Sequence, residues 1–410
     1  MAERVRTRVG AASGELNGYG SAEVRRTKTI KRRRREPEAE VRVVGSVDYV
    51  LLFSVVILVL FGIIMVFSAS YMRATTDFGG PFHFLRNNII FAGMGFGVMM
   101  LLASFNYELL RPFSILFYAI GIGLLVLVLV IGEEVSGATR WIELPVVGRF
   151  QPSELARAGV IFTLAYLIER YPKLPKTLAG IVFLTAVVGL MVVLIIYPGG
   201  FTIGLITAAI GMVMIAIAGP FFKRFVALGI AGIAGVAGYL YWLSVNDGGF
   251  RGTRYLVWQD PWIAPRDAGY QTIQSLFAIA GGRWFGEGIG NSRQVSFVPE
   301  AHNDIIFAII VEELGFVGGT VIMILFAVFI WRGIIIAMRA PDTFSALLAL
   351  GIVFAIGMQA MINIAVVTNS IPNTGVNLPF ISYGGTSLVV SMAMVGVLLN
   401  ISKYSVQKNM

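Results

Sequence analysis

Ten apolar runs of about 17–23 residues constrain this chain more than any other feature: 47–69, 87–104, 113–132, 153–169, 178–197, 202–219, 225–244, 316–335, 345–367 and 385–402. A hydrocarbon layer of about 30 Å takes roughly 20 helical residues to cross, and each run meets that need. Backbone groups inside lipid must be satisfied within their own segment, so such spans are helices. The expectation is an all-α polytopic membrane protein with ten transmembrane helices. Composition agrees: 57% of the 410 residues are hydrophobic and 13% charged, and the mean hydropathy of +0.79 lies outside the range of soluble domains.

Orientation follows from the basic residues. The net charge of +9 is concentrated before the first span, in Arg4, Arg6, Arg8, Arg25, Arg26, Lys28, the basic run 31–35 and Arg42. Beside a span, such a segment reads as a disordered cytoplasmic tail (1–46) drawn to anionic lipid rather than to nucleic acid. With ten spans in the body (47–403), the short tail 404–410 is then also cytoplasmic. The loops placed inside carry Arg111, Arg170, Lys173, Lys176, Lys223, Arg224, Arg332 and Arg339, whereas 198–201 and 368–377 outside carry no Lys or Arg, as the positive-inside rule requires. No signal peptide is visible, since the first apolar run starts near Val47 and exceeds an h-region.

The longest connection, 245–303, is a large extracytoplasmic loop between spans seven and eight. Loops of that length are usually functional or disordered. Its Tyr255, Trp258, Trp262, Tyr270, Phe277, Trp284 and Phe285 argue for order, in short helices at the membrane interface.

Three polar clusters fall on this outer side. The first is Glu300-Ala301-His302-Asn303-Asp304, running on to Glu312-Glu313-Leu314-Gly315. An Asp at mid-helix in lipid costs roughly 2.5–3.5 kcal/mol, so its presence asks for a reason. Because Phe316 onward suffices to cross, the 304–314 segment reads as a short interfacial or re-entrant helix. Helical geometry puts Glu312 about 80° round from Asp304, able to share its cavity.

The second cluster is Thr139-Arg140-Trp141-Ile142 with Gln151-Pro152-Ser153-Glu154-Leu155-Ala156-Arg157. It fits a capped helix start with a snorkelling Arg157, or a buried Glu154 and Arg157 pair lining a polar cavity. The third is 369–387, rich in Pro, Gly and amides, whose Ser382-Tyr383-Gly384-Gly385 turn opens the last helix. It reads as an ordinary capped loop or as a backbone anion site.

Zero cysteines exclude disulfides and thiolate metal sites, and two histidines exclude a histidine cage. There is no phosphate-binding Walker loop and no Ser, His, Asp arrangement that the topology lets meet. Gly286-Glu287-Gly288-Ile289-Gly290 mimics part of a dinucleotide fingerprint but has no strand before it. No organic cofactor is expected.

Together these segments resemble the SEDS family (shape, elongation, division and sporulation), the FtsW/RodA group of peptidoglycan glycosyltransferases. The resemblance rests on Arg140-Trp141-Ile142, Gln151 to Ala156, Tyr270-Gln271, Gln274-Ser275-Leu276, Gly281-Gly282, Gly286 to Ser292, Pro299 to Asp304, Glu312 to Gly315, and Gly375 with Leu378 to Gly385. It runs from about residue 47 to 403. Gly290-Asn291-Ser292 and the long tail look more like the division branch than the elongation branch. Three positions depart from the pattern: Arg157 for Lys, Ile305 for Phe and Thr386 for Ser.

The resemblance implies polymerisation of lipid II at the outer face of the bacterial cytoplasmic membrane, at the division septum. It also implies a class B penicillin-binding transpeptidase and other divisome proteins as partners, Asp304 as the essential acid, and Glu154 as a further activity-linked position. Joining a sugar 4-hydroxyl to an anomeric carbon needs a base and stabilisation of a departing diphosphate. Asp304 is the candidate base, directly or as ligand to Mg2+ or Mn2+. Arg140, Arg157 and Arg254 are candidate cations for the diphosphate. Trp141, Gln151, Glu154, Gln274, Ser275, Glu300, His302, Asn303, Ser382, Tyr383, Gly384 and Gly385 are candidate substrate contacts, with Glu312 behind Asp304. The rivals are a flippase or transporter for the same lipid, and a non-catalytic division scaffold; the transporter reading is weakened by the lack of an equivalent inner polar set.

Overall fold

A computed structural model describes residues 45–135, 138–144, 148–220, 249–298 and 300–404, with scattered positions between 227 and 242. The basic tail, most of the 225–244 span, Lys223, Arg224 and the segment 405–410 lie outside the described residues.

The long helices are α1 (Tyr49–Phe78), α2 (His83–Ser104), α3 (Ser114–Ile131), α4 (Pro152–Arg170), α5 (Leu178–Ile196) and α6 (Phe201–Ala218). The shorter α7 (Gly249–Gln259) and α8 (Tyr270–Gly282) follow, then α9 (Ile306–Met338), α10 (Thr343–Val367) and α11 (Gly385–Lys403). Local chemistry sets their ends. Asp48 accepts from Leu51 N at 3.0 Å to start α1, which stops at Gly79 in the left-handed region. Asp342 accepts from Ser345 N at 2.8 Å to start α10.

Eight described helices, namely α1, α2, α3, α5, α6, α9, α10 and α11, are long and apolar enough to cross a membrane. The fourth expected span is present as α4 but is built differently. It carries Glu154, Arg157 and Thr163, all buried, and packs against α3, α5, α6, α10 and α11. Protein rather than lipid surrounds its polar groups, which is how a membrane fold tolerates them. Two other boundaries move: α1 continues to Phe78, carrying Arg73 and Asp77 beyond the expected end, and α9 starts at Ile306 rather than at Phe316. Within α9 the 306–314 segment is nonetheless a short helix of its own, because the backbone breaks at Gly315, with φ 71° and ψ −173°.

The all-α expectation needs one correction. Between α3 and α4 lies a three-stranded antiparallel sheet, β1 (Glu133–Val135), β2 (Ala138–Leu144) and β3 (Gly148–Phe150), in the order β1, β2, β3. Its register pairs Glu133 with Trp141 and Ile142 with Phe150. Thr139, Trp141 and Ile142 are β-branched or aromatic, a strand preference that the loop reading passed over.

A second correction concerns the helix ends opposite the sheet, which do hold a polar set. Tyr107 Oη donates to Asp342 at 2.6 Å, and Arg111 pairs with Glu169 at 2.8 Å and Asp342 at 3.4 Å. Asn400 accepts from Tyr107 N and donates to Ala103 O, both at 2.9 Å. Arg332 grips Asp48 through Nε at 3.0 Å, and Asp48 N donates to Ser402 Oγ at 3.0 Å. These are pairwise ties between helix ends. Of these residues only Arg111 and Arg332 entered the sequence reading, as basic residues of the inner loops.

Candidate functional site

The site begins with a backbone, residues 302–304, whose three consecutive carbonyls each receive a donor from a different place. Tyr383 N donates to His302 O at 2.9 Å. Ser382 Oγ donates to Asn303 O at 2.6 Å while accepting from Leu378 N at 2.8 Å. Asn363 Nδ2, from α10, donates to Asp304 O at 2.6 Å and to Val376 O at 2.7 Å. A segment without regular secondary structure is thereby held as firmly as a strand, and every donor comes from α10 or the 378–383 turn.

The Asp304 side chain enters a narrow pocket lined by Gln271, Thr272 and Ser275 of α8, by Ile305, by Val366 and Val367 of α10, and by Asn373. Gly375 closes one wall: a Cβ there would lie 3.5 Å from Asp304 Oδ2, and its φ of +60° suits glycine. Asn373 donates to Gln271 Oε1 at 3.0 Å and its carbonyl accepts from Arg254 Nη1 at 3.3 Å. Trp258 and Asn369 exchange hydrogen bonds at 3.0 and 3.3 Å, fastening α7 to this loop.

Arg254 from α7 and Arg140 from β2 both act electrostatically on Asp304. Burial pushes the Asp304 carboxyl up to about 6; the Glu300 charge adds to this, and Arg254 and Arg140 oppose it. Burial lowers both guanidinium groups from their ordinary value, and for Arg254 the like charge of Arg140 adds to the effect. Arg140 Nε is buried without a hydrogen-bond partner among the described residues, a donor left available in the pocket region.

The other predicted residues separate into distinct roles. Glu154 and Arg157 form a buried ion pair in the first turn of α4, 3% and 1% exposed, so the snorkelling alternative is set aside. Arg157 is thus enclosed rather than facing the pocket, and neither Glu154 nor Gln151 lines it. Trp141 sits on β2 opposite Glu133. Gln274 is partly exposed on α8 and outside the pocket lining, where Gln271, Thr272 and Ser275 stand instead.

Glu300 pairs with Arg73 at 3.4 Å and accepts from Asn303 Nδ2 at 2.6 Å. His302 is buried between Phe84 and Tyr383, with ring centroids at 4.5 and 5.5 Å. Burial first, then the Arg73 charge, pushes its imidazole down to about 4, so it is neutral at physiological pH. The Ser382-Tyr383-Gly384-Gly385 turn acts as wall and clasp. Two of its N–H groups, those of Ser382 and Tyr383, are taken by Leu378 O and His302 O, which removes them from an anion site. Glu312 does not share the Asp304 cavity: its carboxylate is bonded by Ser292 Oγ, by Arg293 N at 3.0 Å and by Gln294 N at 3.3 Å.

Sequence reasoning missed Asn363, Gln359 and Thr272 altogether. Asn363 and Gln359 are amides inside an apolar run, and Gln359 Nε2 donates to Asn377 O at 3.2 Å. That placement is itself a signal, because an amide in a span must find an internal partner.

Residues 49–407 match the family described as cell cycle protein, FtsW/RodA/SpoVE. The chain is 40% identical over 366 residues to stage V sporulation protein E of Bacillus subtilis (strain 168), covering 88% of this chain and 98% of that one. It is 37% identical over 365 residues to the probable peptidoglycan glycosyltransferase FtsW of Geobacter sp. (strain M18), again covering 88% and 98%. Among solved structures it resembles a chain from a study of the structural coordination of polymerization and crosslinking by a peptidoglycan synthase complex. That match has a TM-score of 0.72 at 25% identity, over 87% of this chain and 97% of that one. The rod shape determining protein RodA of Thermus thermophilus shares the fold, with a TM-score of 0.64 at 22% identity over 88% and 98% of the two chains. The chain belongs to the FtsW/RodA/SpoVE family.

Proposed function

We propose that this chain polymerises lipid II into β-1,4-linked glycan at the outer face of the cytoplasmic membrane, with Asp304 as the base. It is a peptidoglycan glycosyltransferase, as its FtsW relatives are named. The observation that carries the catalytic assignment is the Asp304 carboxyl in its narrow pocket, on a backbone held by three successive carbonyl clamps, pushed up to about 6 and within the field of Arg254 and Arg140.

In the proposed step the acceptor 4-hydroxyl gives its proton to Asp304 as its oxygen bonds to the donor anomeric carbon. The carbon–oxygen bond to the undecaprenyl diphosphate breaks with its electron pair leaving on the diphosphate. A single displacement converts an α-linked donor into a β-linked product. Arg140 and Arg254 supply preorganised positive charge where the diphosphate charge develops, the term that dominates in a low-dielectric pocket. A base whose pKa lies near the working pH balances availability against proton affinity.

A divalent ion fits this pocket only as a companion of the substrate. Asp304 is the one carboxylate among the lining residues, and among the described residues no group of three or more His, Cys, Asp or Glu side chains is placed to hold a metal. Asp304 would hold Mg2+ or Mn2+ with diphosphate oxygens completing the shell, where it would neutralise the departing charge.

Ten spans with both termini cytoplasmic complete the topology we favour, the 225–244 run supplying the remaining crossing. Arg111, Arg170, Arg332, Arg339 and Lys403 all lie at helix ends opposite the Asp304 pocket, which supports an outward pocket. A class B transpeptidase that crosslinks the glycan is the partner we propose, with other divisome proteins at the septum. Purified protein in liposomes given lipid II should yield glycan chains that disappear in Asp304→Asn. Undiminished polymer from that variant removes Asp304 from the chemistry, and product with retained stereochemistry removes the single displacement.

A further inference from the structure

The break in α9 has an unusual partner. A helix interrupted at Gly315 leaves backbone groups without their helical mates, and the 283–288 segment supplies the replacements. Phe316 N and Val317 N donate to Arg283 O and Trp284 O at 2.8 and 3.1 Å, while Glu287 N and Gly288 N donate to Glu312 O and Glu313 O, both at 2.9 Å. The Glu312 carboxylate then holds the following turn, 292–294.

The two backbones touch so closely that glycine is required. A Cβ would fall 1.8 Å from Val311 O at Gly282, 2.2 Å from Glu313 O at Gly286 and 2.3 Å from Trp284 O at Gly315. The Gly286 to Gly290 motif set aside as a dinucleotide mimic is thus a tight strap, with φ of 78°, 95° and 79° at its three glycines.

The outer side of this strap is apolar at Trp284, Phe285 and Ile289, with the charged Glu287 exposed between the last two. Phe285 is 82% exposed, Trp284 67% and Ile289 58%. Trp284 lies edge-on to Phe316, ring centroids 5.5 Å apart, so the patch runs without interruption into the exposed apolar face of α9, a membrane-crossing helix. That continuity, with Arg283 exposed beside the aromatics, is the pattern of a segment seated at the headgroup level. The strap's inward backbone groups are already spent on α9, so it offers no strand edge there to another protein.

We propose that residues 283–290 are a membrane-seated strap: the aromatic tip rests in the headgroup–acyl boundary of the phospholipid bilayer, and the backbone clamp on Gly315 transmits that depth to the 306–314 helix and to Asp304 ahead of it. Phe285 is then a positioning residue that refers the pocket to the plane where a lipid-linked diphosphate lies. The positioning half rests on the reading of Asp304 as catalytic base; the seating half does not.

The chain has no cysteine, so Phe285→Cys places a single nitroxide label on the full-length protein. In liposomes of phosphatidylcholine and phosphatidylglycerol, collisions with oxygen should exceed those with a water-soluble nickel chelate, as for Val321→Cys on the lipid-facing side of α9. Nickel accessibility matching Asp267→Cys, an exposed loop position, overturns the seating. So does a label shielded from both reagents only when a partner protein is added. For positioning, Phe285→Asp should lower turnover about tenfold or more with an unchanged pH profile, since small misplacements cost large factors, and Phe285→Trp should restore it. Wild-type turnover in Phe285→Asp overturns the coupling. A wild-type protein inactive on lipid II would count against the proposed function while the label still decides the seating.

Discussion

Asn363 offers the sharpest test of how Asp304 is held. Its Nδ2 is 1% exposed with its residue and spends both hydrogens on carbonyls, Asp304 O at 2.6 Å and Val376 O at 2.7 Å. Asn363→Leu keeps the volume and removes both donors. Each carbonyl left unsatisfied in a buried setting costs about 1–3 kcal/mol, so the two together destabilise by roughly 2–6 kcal/mol, a large share of an ordinary ~5–15 kcal/mol fold. The functional effect should be steeper than the stability effect suggests, because a shift of Asp304 by ~1 Å costs about 100-fold in rate. Asn363→Asp tests the same clamp with a different signature: it too lacks the amide donors, and it places a second carboxyl beside the Asp304 backbone, which raises the apparent pKa of turnover. Chemical denaturation of the detergent-solubilised protein reads the first quantity, and glycan synthesis in liposomes across pH reads the second. If Asn363→Leu unfolds with the wild type and polymerises within about twofold of it, a margin of only ~0.4 kcal/mol, the clamp does not position Asp304 and the argument from three carbonyls fails.

Wild-type turnover should rise with pH through about 6 as the Asp304 carboxyl ionises, measured as initial polymerisation rate. The stability sign is the reverse: a folded value above the ordinary 3.8 means that Asp304 contributes stability at low pH and loses it as pH rises through about 6. His302, held down at about 4, loses its contribution as pH falls from 6.5 toward 4, so Asp304→Asn should be inactive, gain stability relative to wild type above pH ~6, and unmask the His302 slope in thermal unfolding. Arg157→Ala strands the Glu154 carboxylate, 3% exposed, and should cost about 3–5 kcal/mol. Adding Glu154→Gln should recover much of that in the same unfolding assay. Arg140→Ala and Arg254→Ala should each lower the turnover number by about 100-fold or more, and the apparent pKa of the Asp304-dependent rise should move up, since both cations oppose its upward shift.

Most of the fold was legible because lipid enforces length. Nine of the apolar runs, α4 included, reappear as helices within a few residues of their expected ends, apart from the extensions of α1 and α9. What escaped was whatever lipid does not enforce. The β1, β2, β3 sheet falls between apolar runs, where hydropathy says nothing and only the β-branched and aromatic residues Thr139, Trp141 and Ile142 pointed to strand. The start of α9 escaped for the opposite reason: 306–314 is apolar enough to belong to the span, but its role depends on a break at Gly315 whose cause, the strap at 283–288, is 27 or more residues earlier in the chain.

The site shows the same division at closer range. Asp304, Arg140 and Arg254 announce themselves, since charge near an apolar segment must have a use. The groups that make Asp304 precise are its own backbone carbonyls and those of its neighbours, and a carbonyl has no sequence signature. Its donors do have one. Asn363, Gln359 and Ser382 are polar residues in places where lipid or a tight turn offers them little, and each proves to be bonded to a main-chain carbonyl of an irregular segment. An irregular backbone at membrane depth has to be satisfied by protein, so a stray amide inside an apolar span is best read as one half of a contact whose other half is unwound chain. Read that way, Asn363 points to a break in regular structure beside it before any coordinates are known, and the motif most eligible for that break is the one ending in Asp304.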